Sequence, residues 1–281
     1  MKNPELISLH GGHSGQFCCH AEDTLEDIIR QYIRLGFTKV GITEHIPPVN
    51  EKFMYPDEKK QGLTLKDMHE RFADYFNTLK NLKKKYSQAI RIFAGMETET
   101  YTGYRAHIEK LIKKFHPDYI VGSVHHVKDI CFDYSAGSYE AAAEKCGSYD
   151  LMYEQYFDLQ YEMIKNLRPF VVGHFDLIRI HDEKYGTRLL KPGITRKIIR
   201  NLELVKSLGL VLDYNLRPLA RGEKKPYIAG PVLQRAYELG IKLVPGDDSH
   251  GVAEAGCHVD TAAAFLKTYG FSTEWPDPTL L

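Results

Sequence analysis

The sequence lacks any long apolar run, so no membrane-spanning helix is expected. Its opening residues, Met1 to His10, lack the basic, apolar and small-residue regions of a signal peptide, so no secretory leader is expected. An excess of one charge is missing too. Lys plus Arg and Asp plus Glu each number 37, a balance without the basic footprint of a nucleic-acid binder. No linker, repeat or low-complexity tract interrupts the chain. The five cysteines, Cys18, Cys19, Cys131, Cys146 and Cys257, are scattered and odd in number. This argues against a disulfide framework and for a reducing, cytoplasmic setting.

What is present is a 43% hydrophobic content, enough for a sizeable core, and 281 residues, which fit one domain over 1–281. Short apolar, β-branched runs alternate with helical patterns. The expected strands are Leu6–Leu9, Lys39–Thr43, Ile90–Ala94, Tyr119–Val121, Pro169–Val172, Leu210–Asp213 and Lys242–Val244. Between them, Leu25, Ile28, Ile29, Tyr32 and Ile33 fall at helical spacing behind Thr24, with Asp27 completing a cap. A longer stripe from Leu65 to Tyr86 follows Thr64, and a third runs from Ile198 to Leu208. Tyr139–Asn166 reads as helix broken near Gly147. The polar, proline-containing stretch Ile46–Gln61 reads as an excursion over one face, a potential lid. Such alternation implies a parallel sheet, closed or open.

Thirteen histidines exceed ordinary usage, and their positions are not scattered. After successive expected strands come His10-Gly-Gly-His13 with His20 close behind, Glu44-His45, Glu97-Thr-Glu99, His125-His126, His174, Arg217 and Asp248-Ser-His250. In a parallel barrel the carboxyl ends of all strands share one rim. Seven histidines and two carboxylates would therefore meet at one mouth, a ligand set suited to zinc, manganese or iron. A lone histidine after a strand is ordinarily a hydrogen-bonded core or surface residue; the repetition carries the reading. His69, His107, His116 and His258 fall in helices or connections and take the ordinary role, while His126 and His181 stand between. Cys18 and Cys19 read as small buried hydrophobes. Glu44 and Glu99 read as orienting partners of imidazoles or as rim carboxylates.

Taken in order over nearly the whole chain, these motifs resemble the polymerase and histidinol phosphatase superfamily of metal-dependent phosphoesterases. The resemblance implies a distorted seven-stranded (β/α)7 barrel with the metal site at the C-terminal rim of the strands. The chain departs from the family pattern in His10-Gly-Gly-His13, one residue longer than the usual His-x-His, in Glu44-His45 for the usual Asp-His, and in the pair Asp247-Asp248, of which position favours Asp248.

By resemblance, one cation would take His10, His13, Glu97 and Asp248. A second would take Glu97, His125 and His174, with Glu97 bridging, and a third His20, His45 and His250. Two or three divalent ions (Zn, Mn or Fe) acidify water, neutralise phosphoryl oxygens and align the reactants. Length and inserted segments point to the branch that hydrolyses L-histidinol phosphate in histidine biosynthesis. Glu97 and Asp248 would be the catalytic carboxylates. Arg179, Arg217 and Arg105 are the expected phosphate contacts, since a guanidinium binds phosphate bidentately. Tyr55, Asp57 and Glu58 are placed to meet the organic part. The expected partner is a small phosphate ester, with no nucleic acid and no membrane; the sequence does not speak to oligomeric state. Another small phosphate ester or a nucleotide as substrate, an amidohydrolase, and a non-catalytic metal-binding module are the alternatives. No lysine ends a strand, as an amidohydrolase bridge would require.

Overall fold

The structure is a computed structural model that describes residues 4–279. Thr24 opens the first long helix, Leu25–Arg34, where its side chain accepts the backbone N–H of Asp27 and satisfies a donor that every helix start leaves open. Leu25, Ile28, Ile29 and Tyr32 are buried along one stripe. The helix Leu65–Lys85 begins with a reciprocal box between Thr64 and Asp67. Pro192–Leu208 carries its proline in the first turn, where the missing N–H has no helical partner to lose. The segment read as one broken helix is two, Ala136–Cys146 and Tyr149–Leu167, parted at Gly147 with φ 93°. Helices Tyr104–Phe115, Gly230–Glu238 and Val259–Tyr269 extend the expected alternation of strand and helix.

The strands are β1 (Ile7–Gly11), β2 (Lys39–Ile42), β3 (Arg91–Ala94), β4 (Val121–Gly122), β5 (His126–Val127), β6 (Ile130–Cys131), β7 (Val171–Val172), β8 (Val211–Asn215) and β9 (Lys242–Gly246). Two parallel sheets result, β1-β2-β3 and β4-β7-β8-β9, beside an antiparallel hairpin of β5 and β6. All seven expected strands are present. Those expected at Tyr119–Val121 and Pro169–Val172 shorten to two residues each, and the hairpin was not expected. Hydrogen bonds join the sheets at both edges. Val121 N–H donates to Met96 (3.0 Å) and Thr98 N–H to Val121 (2.9 Å) on one side. Asp248 N–H donates to His10 (2.8 Å) and His13 N–H to Ser249 (2.7 Å) on the other.

Every residue of β1 and of β8 is buried, as expected for parallel strands covered on both faces. Ile7, Leu9, Val40, Ile92, Val171, Leu212 and Val244 pack with the buried helix stripes into one hydrophobic cluster. The stretch after β2 holds a short helix, Pro56–Lys60, with Phe53 and Met54 buried just before it. Among the described residues no helix is long and apolar enough to cross a membrane.

Candidate metal centre

β1 solves the problem of its long first motif with a bulge. Ser8 pairs with Val40 and Gly11 with Ile42, so β1 carries one residue more than β2 between those pairs. Gly11 makes this possible, because a Cβ there would collide with the carbonyl oxygen of Gly41. With the extra residue absorbed, both rings face one carboxylate: His10 Nε2 lies 3.4 Å from Glu97 Oε1, and His13 Nε2 3.7 Å from Oε2.

Glu97 is the meeting point of the strand ends. His125 Nε2 (3.1 Å) and His174 Nε2 (3.0 Å) approach Oε1, while His45 Nδ1 approaches Oε2 at 3.1 Å. Asp248 Oδ1 stands 3.4 Å from His13 Nε2 and 3.9 Å from both His10 Nε2 and His250 Nδ1. Donor atoms of His10, His13 and Glu97 form one compact group, those of His10, His174 and Asp248 another, and those of His20, His45 and His250, with Cys18, a third. The nine ligand positions expected from the sequence are thus brought together. Asp247 turns away, accepting from Tyr32 Oη (2.6 Å), Gly256 N–H (2.8 Å) and Ser8 Oγ. Asp248 adopts φ 47° and His174 φ 20°, backbone that a non-glycine residue keeps only where its surroundings impose it.

Further carboxylates hold the imidazoles from behind. His10 Nδ1 lies 2.7 Å from Asp213 Oδ2, and His125 Nδ1 lies 2.8 Å from Asp133 Oδ2. Each pairing fixes the ring and leaves Nε2 to face the centre. Asn215 Nδ2 donates to both Asp213 and Asp248 at 3.0 Å. Glu44 accepts Ser14 N–H at 2.7 Å and lies 3.4 Å from His13 Nδ1, while Glu99 faces His126 Nδ1 at 3.1 Å. Two of the histidines given ordinary roles have ordinary partners: His107 meets the Pro47 carbonyl at 2.8 Å and packs against His69.

The electrostatics favour cations. Burial opposes charge on Glu97, yet His10 and His125 hold its carboxyl well below the usual range. Burial likewise opposes charge on Asp248, and His10 and His13 hold it well below. Burial lowers His20 to about 4 and His45 to about 3, which keeps them in the neutral form that ligates metals. Nε2 of His10, both nitrogens of His13 and Nδ1 of His45 are buried without a hydrogen bond, though carboxylate oxygens stand 3.1 to 3.4 Å from His10 Nε2, His13 Nε2 and His45 Nδ1. Buried nitrogens are normally paired. Ring nitrogens that converge on shared carboxylates without hydrogen-bonding them fit shared divalent cations.

Above these groups lies a cavity of about 350 Å³. Tyr55, Asp57, Asp133, Tyr134, Glu223 and Tyr227 form part of its wall, with Arg217 and Arg221. The stretch after β2 reaches it through Tyr55, whose hydroxyl donates to Glu99 at 2.8 Å, and through Asp57. Two expected phosphate contacts lie elsewhere. Arg179 is buried, donating to the Pro226 carbonyl at 2.6 Å and standing 3.3 Å from Asp176 and over the Tyr227 ring. Arg105 is at the surface with Glu109 (3.0 Å) and Asn166 (2.9 Å). Arg217 does line the cavity, and its guanidinium is paired with Glu254.

Asp213, Asp133, Cys18 and Arg221 were not among the site residues expected from the sequence. Asp213 had a signal, a carboxylate among apolar residues inside a strand. Asp133 lies in the turn after β6 and Arg221 caps the short helix Arg217–Ala220, and no local pattern encodes the direction of either side chain.

Fold and site define a parallel α/β protein whose strand ends gather side chains able to hold metal ions. The PHP domain profile matches residues 9–216, and the chain belongs to this family. It is 34% identical over 271 residues to the "probable histidinol-phosphatase" of Schizosaccharomyces pombe, covering 95% of this chain and 88% of that one. It is 28% identical over 293 residues to the histidinol-phosphatase of Saccharomyces cerevisiae, covering 92% and 87%. Among solved structures, the hisK protein of Listeria monocytogenes superimposes with a TM-score of 0.79 at 24% identity, covering 91% of this chain and 99% of that one. Histidinol phosphate phosphatase of Lactococcus lactis, solved with zinc, L-histidinol and phosphate, gives 0.68 at 17% identity, covering 95% of each.

Proposed function

We propose that the protein is a metal-dependent phosphomonoesterase, a histidinol-phosphatase that hydrolyses L-histidinol phosphate to L-histidinol and phosphate. The observation that carries this is the Glu97 carboxylate, set among His10, His13, His45, His125 and His174 at the floor of a cavity that also offers arginines. The curated relatives with that name support the substrate.

His10, His13, Glu97 and Asp248 would hold one cation, Glu97, His125 and His174 a second, and His20, His45 and His250 a third. When bound, such ions supply Lewis acidity to water and to phosphoryl oxygens. Zinc accords with the ion in the Lactococcus lactis structure. Asp213 and Asp133 orient the rings of His10 and His125. Asp248 Oδ1, 3.4 Å from His13 Nε2 and 3.9 Å from His10 Nε2, would serve there as the ionised ligand beside the two imidazoles. Arg217 and Arg221 would take the phosphate oxygens. Elsewhere on the wall, Asp57, Asp133 and Glu223 would meet the amine and imidazole of the alcohol, with Tyr55 and Tyr134 covering its ring.

The described residues 4–279 would form one domain, with the two sheets making a distorted seven-stranded barrel. The hydrogen bonds at both sheet edges support the closure. Five free cysteines support a cytoplasmic setting.

The substrate is tested by phosphate release from L-histidinol phosphate beside a panel of sugar phosphates, nucleotides and simple phosphomonoesters. A kcat/KM for histidinol phosphate well above the panel is expected; equal rates across it would contradict the assignment.

A further inference from the structure

His20, His45 and His250 are not alone at the outer pole of the site. The sulfur of Cys18 belongs to the same group: its Sγ and one nitrogen from each of the three histidines all lie within 4.8 Å of one another. A tetrahedral zinc ion, at about 2.3 Å from sulfur and about 2.0 Å from nitrogen, sets ligand atoms roughly 3.5 Å apart. Side-chain adjustments of about 1 Å would bring the four atoms to that geometry.

The backbone is arranged to hold them there. Cys18 and His20 sit on a tight loop in which Cys18 N–H donates to the Ser14 carbonyl (2.9 Å) and Ala21 N–H to the Cys18 carbonyl (3.3 Å). The near end of the loop is tied to the neighbour of His45, because Ser14 N–H donates to Glu44 at 2.7 Å. The far end is tied to His250 itself, whose carbonyl accepts Glu22 N–H at 2.7 Å. The same loop therefore sets Cys18 and His20 against both other histidines. Cys18 is 7% exposed, and among the described residues no side chain hydrogen-bonds its sulfur. Cys19 differs: Arg71 Nη1 donates to its sulfur at 3.3 Å, outside the group.

We propose that Cys18 is the fourth protein ligand of the outer cation and that this set of one thiolate and three imidazoles selects a thiophilic ion, zinc before manganese, at that position. The proposal rests on the metal-dependent reading above. Soft thiolate favours zinc over manganese, whereas the two inner positions offer only imidazole and carboxylate, which accept either. Binding displaces the thiol proton to solvent as the sulfur–metal bond forms.

The test is cobalt(II) substitution of the full-length protein, read by near-ultraviolet absorption together with metal analysis. A thiolate-to-cobalt charge-transfer band is expected in the wild type and retained in Cys19→Ser and Cys131→Ser. Cys18→Ser should lose the band and one cobalt per chain while keeping the inner ions. Cobalt bound without a thiolate band in the wild type, or a band that survives Cys18→Ser, overturns the proposal while leaving the metal-dependent reading standing. No cobalt bound at all overturns both. If Cys18→Ser does not fold, the band is expected to persist in each of Cys19→Ser, Cys131→Ser, Cys146→Ser and Cys257→Ser, and its loss in any one of them overturns the proposal.

Discussion

His10 Nδ1 lies 2.7 Å from Asp213 Oδ2, and this pair decides which nitrogen of the ring faces Glu97. Asp213 is fully buried on β8, where it also takes the amide of Asn215 and the backbone N–H of His174. One carboxylate therefore positions candidate ligands from β1 and from the turn after β7. Replacing it by asparagine keeps the shape and removes the charge. Asp213→Asn is expected to weaken metal binding or activity roughly ten- to hundredfold. Competition with a chelator measures this; unchanged affinity and activity would show the pair to be mere packing.

The β1 bulge carries a stability prediction. Gly11→Ala places a methyl group against the Gly41 carbonyl of the neighbouring strand, which cannot yield without moving β2. A loss of about 1–3 kcal/mol is expected from urea unfolding, the cost of overpacking a filled interior. Metal content should fall with it, since His10 lies within the bulge and His13 two residues past Gly11. A variant as stable as the wild type would mean that the strands slide to make room.

The arginines separate into different roles. Arg221 lines the cavity, and Arg221→Ala should raise KM for the phosphate ester roughly ten- to hundredfold, the worth of a lost charged hydrogen bond. Arg105→Ala should leave kcat and KM unchanged, because that side chain is engaged at the surface. Arg179→Ala should lower the midpoint of unfolding, since it removes the donor of the Lys225 and Pro226 carbonyls and leaves the buried Asp176 charge with only the Ala229 N–H. Steady-state kinetics beside urea titrations separate the three; an Arg105→Ala variant with a raised KM would contradict the assignment.

Glu58 gives a pH dependence. Burial raises its carboxyl from 4.5 to about 7, against the pull of the Tyr55 N–H. The folded protein thus binds a proton that the unfolded chain releases. Stability from this group is therefore lost as pH rises from about 4.5 to about 7 and is level above that. Glu58→Gln can still accept the Tyr55 N–H bond and has no charge to bury. It should be more stable than the wild type at pH 8, with the difference vanishing near pH 4. A difference that does not change with pH would contradict this.

The sequence made the strand-and-helix alternation legible because each strand is short, apolar and followed by a chemically distinctive residue. Thr24 and Thr64 could be read as helix starts because capping is local. The candidate ligands were legible for the same reason: His45, Glu97, His125, His174 and Asp248 each sit a few residues past a strand. What the sequence hid depends on direction in space. The bulge that absorbs the His10-Gly-Gly-His13 spacing exists only against β2. Arg179 lies five residues past His174, yet its 3₁₀ turn carries it inward beneath Tyr227. Cys18 looks like any small buried residue until the loop brings its sulfur beside His20, His45 and His250.

The most direct measurement is phosphate release from L-histidinol phosphate by wild type and Glu97→Gln, with metal analysis on the same samples. Glu97 stands between the other ligands of the two inner positions, so loss of its charge is expected to remove activity and lower metal content together. Full activity in Glu97→Gln, or full metal content with activity unchanged, would contradict the central role given to this carboxylate.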